Sequence, residues 1–242
     1  MTIVIPMAGI SKRFTQAGYS VPKYMLEIEN KSLFEHSLES FKNYFEESKF
    51  LFIARNIHET KKFINEKVKI IGIKKFEIII IDNPTKGQAD TVSIGINKSN
   101  IDCSEPILIF NIDTIRPNYS FPHEISKCDG LLEVFIDETG DNWSFIEPIY
   151  NTENKVARTT EKNRISNLCS TGLYFFRNKK LFDFGFKELK ESGNNKELYV
   201  APMYNNLISN NNDVRYYVIK KEEVIFCGTP KEYIAYKKYL SK

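Results

Sequence analysis

Four short apolar runs, Ile3–Ile5, Phe50–Ala54, Phe76–Ile81 and Pro106–Ile112, are separated along the first half of the chain by segments of helical periodicity. Continuous apolar runs rich in β-branched and aromatic residues are what strands look like when both faces are buried. Between the first two, Ser32 and Glu35 form a capping box, and Leu33, Phe34, Leu38, Phe41 and Phe45 recur at helical spacing, which predicts a helix from Leu33 to Glu47. Residues His58–Ile71 predict a second helix, and the segment after Gly87 a third, ending near Asn97. Strand alternating with helix implies an α/β protein with a parallel sheet and right-handed crossovers.

The second half changes character. Leu131–Ile136, Ser144–Tyr150, Val156–Thr160 and Gly172–Phe176 read as strands joined by turns with little helix between them. Helical patterning returns over Lys179–Ser192 and after Glu197–Pro202, Val214–Ile219 is a further strand, and Thr229-Pro230-Lys231-Glu232 starts a terminal helix that runs to about Leu240. With 242 residues, 42% of them hydrophobic, the chain supports one domain over 1–242, with 1–118 and 119–242 as its halves. A net charge of +3 from 34 basic and 31 acidic residues lacks the basic excess of a nucleic-acid binder. Cys103, Cys128, Cys169 and Cys227 are scattered without a C-x-x-C pair, so neither a zinc site nor a disulfide framework is indicated. No run approaches the length of a membrane span and no basic leader precedes the first apolar run, so a soluble cytoplasmic protein is expected.

The first strand opens into a loop of some twenty residues carrying Ser11, Lys12, Arg13 and Lys23, longer than an idle connection and suited to a polyphosphate. A P-loop needs Gly-Lys-Ser/Thr, and a dinucleotide fingerprint needs three glycines at fixed spacing. Gly9 is the only glycine between Met1 and Ala17, so neither applies.

The spacing Gly9-x-x-x-Arg13-Phe14 followed by Pro22-Lys23 resembles instead the N-terminal signature of the nucleotidyltransferases that make nucleotide-activated sugars and related compounds. The resemblance implies a Rossmann-like, mixed, mainly parallel sheet flanked by helices, with a small β-rich acceptor-binding insertion. It implies that Met7, Ala8, Gly9 and Ser11 bind the nucleotide, that Arg13 holds the β and γ phosphates, and that Lys23 holds the α-phosphate. Gly87-Gln88-Ala89-Asp90 resembles the loop with which the family reads the base, where glycine admits close backbone approach and Gln88 offers a donor and an acceptor. On residues alone the same segment equally reads as a turn before an N-capped helix. Asp113 ends the apolar run 106–113, and a carboxylate at the carboxyl end of a strand in an open α/β sheet is a metal candidate; the resemblance makes the metal Mg²⁺. The alternative is a turn cap before Pro117, and Asn111 stands two residues earlier as a partner for Asp113.

Further matches follow in order. Glu161-Lys162 and Ser170-Thr171-Gly172-Leu173-Tyr174 resemble the elements that hold the acceptor's phosphate and body, with Lys162 on the incoming phosphate and Thr171 and Gly172 on the body. Trp143 either walls the acceptor pocket or fills core. Asn163 stands where many sugar-1-phosphate members have proline. Cys227 precedes Gly228-Thr229-Pro230, where many members place an aspartate ligand to Mg²⁺; a thiol is a poor Mg²⁺ donor, which leaves Asp113 with water and phosphates, or a carboxylate such as Glu223. The Pro6-Met7-Ala8-Gly9 opening and Tyr199-Val200-Ala201-Pro202 place the resemblance nearest the capsule-cluster branch.

The reaction so implied is attack of an acceptor phosphate on the α-phosphorus of a nucleoside triphosphate. A phosphate monoester with its second pKa near ~6 is already an ionised nucleophile at neutral pH, so no general base is required and His36, His58 and His123 read as surface or packing residues. CTP is the expected nucleotide, and the resemblance admits L-glutamine phosphate and sugar 1-phosphates as acceptors, the latter with UTP or dTTP. A nucleotide-binding regulator without activity is the contrasting class. A glycosyltransferase would need Asp-x-Asp, which Asp113-Thr114-Ile115 lacks. A monomer or homodimer is expected, with no nucleic-acid or membrane partner.

Overall fold

The first-half strands form where the apolar runs predict, because each buries side chains on both faces. In the computed structural model, which describes residues 1–192 and 197–241, Thr2–Met7 lies between Lys49–Arg55 and Ile107–Phe110, parallel to both, and Lys75–Ile81 extends the sheet beyond Lys49–Arg55. On the other side Leu168–Phe176 runs antiparallel to Ile107–Phe110 and branches the sheet: Ser144–Pro148 and Val156–Glu161 continue one path, Gly130–Ile136 and Val214–Ile219 the other. The result is a nine-stranded, mixed sheet to which both halves of the chain contribute, flanked by helices.

Alternation along the strands divides the core in two. Val4, Leu51, Ile53, Ile107 and Ile109 face the helices Gln88–Lys98, Lys179–Glu191 and Met203–Ser209. Ile3, Ile5, Phe50, Phe52, Leu108 and Phe110 face Leu33–Leu38 and Thr60–Ile71. Each of these side chains is fully buried, worth about 1.5–3 kcal/mol apiece relative to exposure.

Three expectations change. The helix expected over Leu33–Glu47 is α-helical only to Leu38 and continues as a 3₁₀ helix over Glu39–Tyr44, with Phe41 off helical geometry at φ −104°, ψ 20°. Phe41 is wedged edge-on between Phe50, Phe110 and Tyr119, so packing sets the backbone there. The long loop after the first strand is not structureless: it holds a short helix Lys12–Gln16, a 3₁₀ turn Lys23–Met25 and a small hairpin of Glu27–Ile28 with Lys31–Ser32. Finally, the strand expected through Asp113 ends at Phe110; Asn111–Asp113 form a turn, and Thr114–Ile115 start again as a separate strand paired with Ile225–Phe226. No helix among the described residues is long and apolar enough to cross a membrane.

Candidate active site

A cleft of about 1360 Å³ opens at the carboxyl ends of the parallel strands, where ligands lie in open α/β sheets. Its wall gathers Met7, Ala8, Gly9, Ser11, Arg13, Lys23, Gly87, Gln88, Asp113, Trp143, Glu161, Thr171 and Gly172, residues more than 160 positions apart in sequence.

The cationic loop is shaped by two anchors. Phe14 is buried and packs edge-on against Tyr19 and Tyr233, tying the loop to the C-terminal helix Pro230–Leu240 and leaving its neighbour Arg13 exposed at the cleft. Ser11, in the left-handed region at φ 50°, accepts from the Lys23 N–H at 3.4 Å, which draws the two ends of the loop together. Lys23 then reaches across the cleft, its Nζ 2.5 Å from Asp113 Oδ2, with the two side chains 23% and 19% exposed.

The base-reading loop owes its glycine to the protein itself. Gly87 has φ +137°, and a Cβ there would lie 2.5 Å from the carbonyl oxygen of Leu198 and 2.7 Å from its nitrogen. Leu198 is laced to the loop on both sides, donating to Lys86 O at 2.6 Å and accepting from the Ala89 N–H at 2.9 Å. Ala89 and Asp90 therefore do not line the cleft: Ala89 is buried, and the Asp90 carboxylate accepts from the Lys86 N–H at 2.8 Å. Gln88 does line it, and its Nε2 donates to Asn111 Oδ1. Asn111 thus serves Gln88, not Asp113 as expected, because the turn begun after Phe110 takes both residues off the strand. Its Nδ2 fills the place a Cβ on Gly172 would take, 2.2 Å away.

Thr171 and Gly172 sit where the pairing of Leu168–Phe176 with Gly130–Ile136 shifts register between Ser170 and Tyr174. Irregular register beside a site is a common way to re-aim side chains. Beneath it lies a buried charge network. Glu133, wholly buried, accepts from Arg116 Nε at 2.8 and 2.9 Å, from Thr171 Oγ1 at 2.8 Å and from the Tyr217 hydroxyl at 2.6 Å. Burial raises the Glu161 carboxyl above its usual range, although Ser144 donates to it. Trp143 does both of the things expected of it: it lines the cleft and packs on Phe135 and Phe226. Lys162 follows a strand end with φ 55° and is not among the lining residues; its ammonium donates to the Tyr199 hydroxyl, which donates to Glu197. Tyr199 and Glu197 themselves line the cleft and had been read only as a branch marker and a helix lead-in.

Around Asp113 the donor chemistry is that of hard oxygen. Cys227 is fully buried, its thiol pushed up to about 12 by burial and the nearby Asp113 and Glu232 carboxylates, so it is no anionic donor at neutral pH. What it supplies is its backbone N–H, 2.8 Å from Asp113 O. Glu223 is engaged elsewhere, accepting from the Lys220 N–H at 2.8 Å, and does not line the cleft. Among the described residues no group of three or more His, Cys, Asp or Glu gathers as a metal site. Asp113 fits Mg²⁺ as an oxygen donor, with phosphates and water left to complete an octahedron. Glu232 and Lys231, read from sequence only as the start of a helix, also line the cleft, as does Lys86. No histidine does, among the described residues.

No protein-family model matches the sequence. A 2-C-methyl-D-erythritol 4-phosphate cytidylyltransferase of Wigglesworthia glossinidia brevipalpis is 29% identical over 168 residues, a match covering 67% of this chain and 65% of the length of that protein. The crystal structure of a nucleoside-diphosphate-sugar pyrophosphorylase from Vibrio cholerae RC9 superposes with a TM-score of 0.93 at 47% identity, covering 98% of this chain and 99% of the other. An inositol-1-phosphate CTP transferase from T. maritima shares the fold, with a TM-score of 0.75 at 15% identity over 100% of this chain and 94% of its own. Near-complete coverage at 47% identity extends the likeness beyond fold to the sequence of the cleft-bearing elements, and the chain belongs to the nucleotidyltransferase family of the nucleotide-sugar type.

Proposed function

We propose that the protein is a cytidylyltransferase that transfers CMP from CTP to a small phosphorylated acceptor and releases pyrophosphate. The observation that carries the reading is the convergence of Arg13, Lys23 and Asp113 on one wall of a cleft whose other wall holds Gln88 and Thr171. Two polyanions must approach in line, and the need is for positive charge and fixed dipoles, not for a base. Arg13 binds the β and γ phosphates, Lys23 leaves Asp113 for the α-phosphate, and the acceptor phosphate attacks already ionised. Mg²⁺, held by Asp113, would neutralise charge on the triphosphate. Lys162, one side chain from the cleft, takes the acceptor phosphate if it lets go of Tyr199.

Cytosine is favoured by the orientation of Gln88. With Nε2 spent on Asn111, the amide is left with Oε1 as its acceptor, which suits the exocyclic amino group of cytosine and not the O4 of uracil or thymine. The curated relative is itself named a cytidylyltransferase. For the acceptor, L-glutamine phosphate is the first compound to test, in a role in capsule biosynthesis. A second reading, transfer of UMP or dTMP to a sugar 1-phosphate, is supported by the name of the Vibrio cholerae relative.

The test is pyrophosphate release by the full chain with each triphosphate against L-glutamine phosphate and a set of sugar 1-phosphates. CTP well above ATP and GTP, and only with acceptor present, is the expected result. Preference for UTP or dTTP with a hexose 1-phosphate replaces the cytidylyl reading with the second. No release with any pair leaves a nucleotide-binding regulator.

A further inference from the structure

Gly228 lies in the turn between the strand Ile225–Phe226 and the helix Pro230–Leu240, and the space beside its α-carbon is open to the cleft. A Cβ placed there would stand 2.9 Å from Asp113 Oδ2 and 3.7 Å from Glu232 Oε2, so the two carboxylates flank one small cradle. Glu232 is fixed in that position by the helix start: Oε2 accepts from the Thr229 N–H at 2.8 Å, and the Glu232 N–H returns a 3.3 Å bond to Thr229 Oγ1. Its other oxygen, Oε1, has no hydrogen-bond partner among the described residues.

A cation already marks the place. The Lys23 ammonium sits 2.5 Å from Asp113 Oδ2, the oxygen nearest Gly228, and stands in for a positive ligand at a point where the protein has gathered negative charge. The geometry points to a divalent-cation site in which Asp113 binds the ion directly and Glu232, across Gly228, holds the ion's water shell. Mg²⁺ and Mn²⁺ keep several waters and take ligands at about 2.1 Å, so a carboxylate on the far side of the cradle is placed to act through a bound water. Carboxylates that hold such waters change metal affinity about 10–100-fold when removed. Lys23 competes for the same oxygen, so arrival of the ion and release of Lys23 toward the substrate are a single exchange. The inference deepens the transferase reading and rests on it for the use of the ion, not for its binding.

The experiment is Mn²⁺ titration of the full-length protein without nucleotide, read as free Mn²⁺ by electron paramagnetic resonance, with melting temperature recorded in parallel. Glu232→Gln is the decisive variant, because glutamine keeps the capping box while removing the charge. Expected results are about tenfold weaker Mn²⁺ binding in Glu232→Gln at unchanged melting temperature, loss of binding in Asp113→Asn, tighter binding in Lys23→Ala, and no change in Cys227→Ser. Binding by Glu232→Gln within twofold of the wild type overturns the proposal, as does a wild type that takes up no Mn²⁺. Pyrophosphate release is measured separately: Glu232-dependent Mn²⁺ binding without release rejects the transferase reading alone, and release with Glu232-independent binding rejects this proposal alone.

Discussion

Replacing Gly87 with alanine tests whether the base loop is held in shape by the protein or left open for the nucleotide. At φ +137° the residue lies in a region essentially reserved for glycine, where an alanine carries about 1–3 kcal/mol of strain. Its Cβ would meet the carbonyl oxygen and nitrogen of Leu198 at 2.5 and 2.7 Å, and these are backbone atoms that cannot swing aside. Relief requires the Leu198 segment to move off the loop, which breaks the Leu198–Lys86 and Ala89–Leu198 hydrogen bonds at about 1 kcal/mol each. The expected loss is about 3–5 kcal/mol, a large share of the roughly 5–15 kcal/mol that stabilises an ordinary domain. Urea denaturation followed by far-UV circular dichroism reads it as a midpoint lowered by about 1 M or more. Gly9→Ala is the matched control: no atom lies within 4 Å of a Cβ there, so stability should stay within about 0.5 kcal/mol while triphosphate KM rises as the methyl group intrudes on the cleft wall. A Gly87→Ala protein as stable as the wild type would refute the claim that Leu198 shapes the loop. A Gly9→Ala protein with unchanged KM would refute the placement of the nucleotide on that wall.

Other outcomes follow from the same geometry. Lys23→Ala should lower turnover at least 100-fold with little change in melting temperature, since the side chain touches Asp113 and packs little; turnover within tenfold of the wild type would remove it from the site. Glu133→Gln leaves the Arg116 guanidinium buried without its counter-charge and should cost about 3–5 kcal/mol by urea denaturation, with a loss below about 1 kcal/mol refuting the network beneath Thr171. The Asp137 carboxyl is lowered from its ordinary 3.8 to about 2, chiefly by Lys221 and also by Thr139. Its pKa falls on folding, so its stabilisation is fully present above pH 3.8 and is lost as pH drops toward 2. Because Lys221 is 56% exposed, solvent screening holds the amplitude to about 1 kcal/mol. The wild type should therefore lose more stability than Asp137→Asn between pH 4 and 2, and parallel curves would contradict it.

The strands were legible because burial on both faces leaves continuous apolar runs, and the terminal helix because Thr229, Pro230 and Glu232 mark its start chemically. What sequence could not show were endings set by packing. The helical spacing of Leu33 to Phe45 survives a change from α to 3₁₀ geometry, and only the aromatic neighbours of Phe41 reveal where the change occurs. Likewise Ile112 is as apolar as Ile109, so nothing in the run 106–113 marks where the ladder stops; that depends on the partner strands. In the cleft, residue type found Arg13, Lys23, Gln88 and Asp113, all polar groups in loops or at strand ends. It misplaced Lys162, whose ammonium is taken up by Tyr199 from a distant segment, and it read Glu232 only as a cap because capping is visible locally and proximity to Asp113 is not.

The cysteine at 227 becomes intelligible once the backbone around Asp113 is considered in place of the side chain alone. The strand Thr114–Ile115 pairs with Ile225–Phe226, Cys227 N–H donates to Asp113 O, and Arg116 Nη1 donates to Glu223 O, so three successive ties run from the Asp113 turn to the C-terminal segment. These ties bring Gly228 and Glu232 to the cleft whatever side chain stands at 227. The side chain itself points into the small core formed with Phe14, Ile115, Tyr233 and Tyr236, where a thiol behaves as a compact hydrophobe and a carboxylate would be desolvated. Position 227 thus serves packing and alignment, and the negative charge facing the cleft is carried by Asp113 and by a residue five positions further on. That division explains how the chain keeps a hard-oxygen site beside Lys23 without an acidic residue before Gly228, and why the C-terminal helix is part of the site and not merely its support.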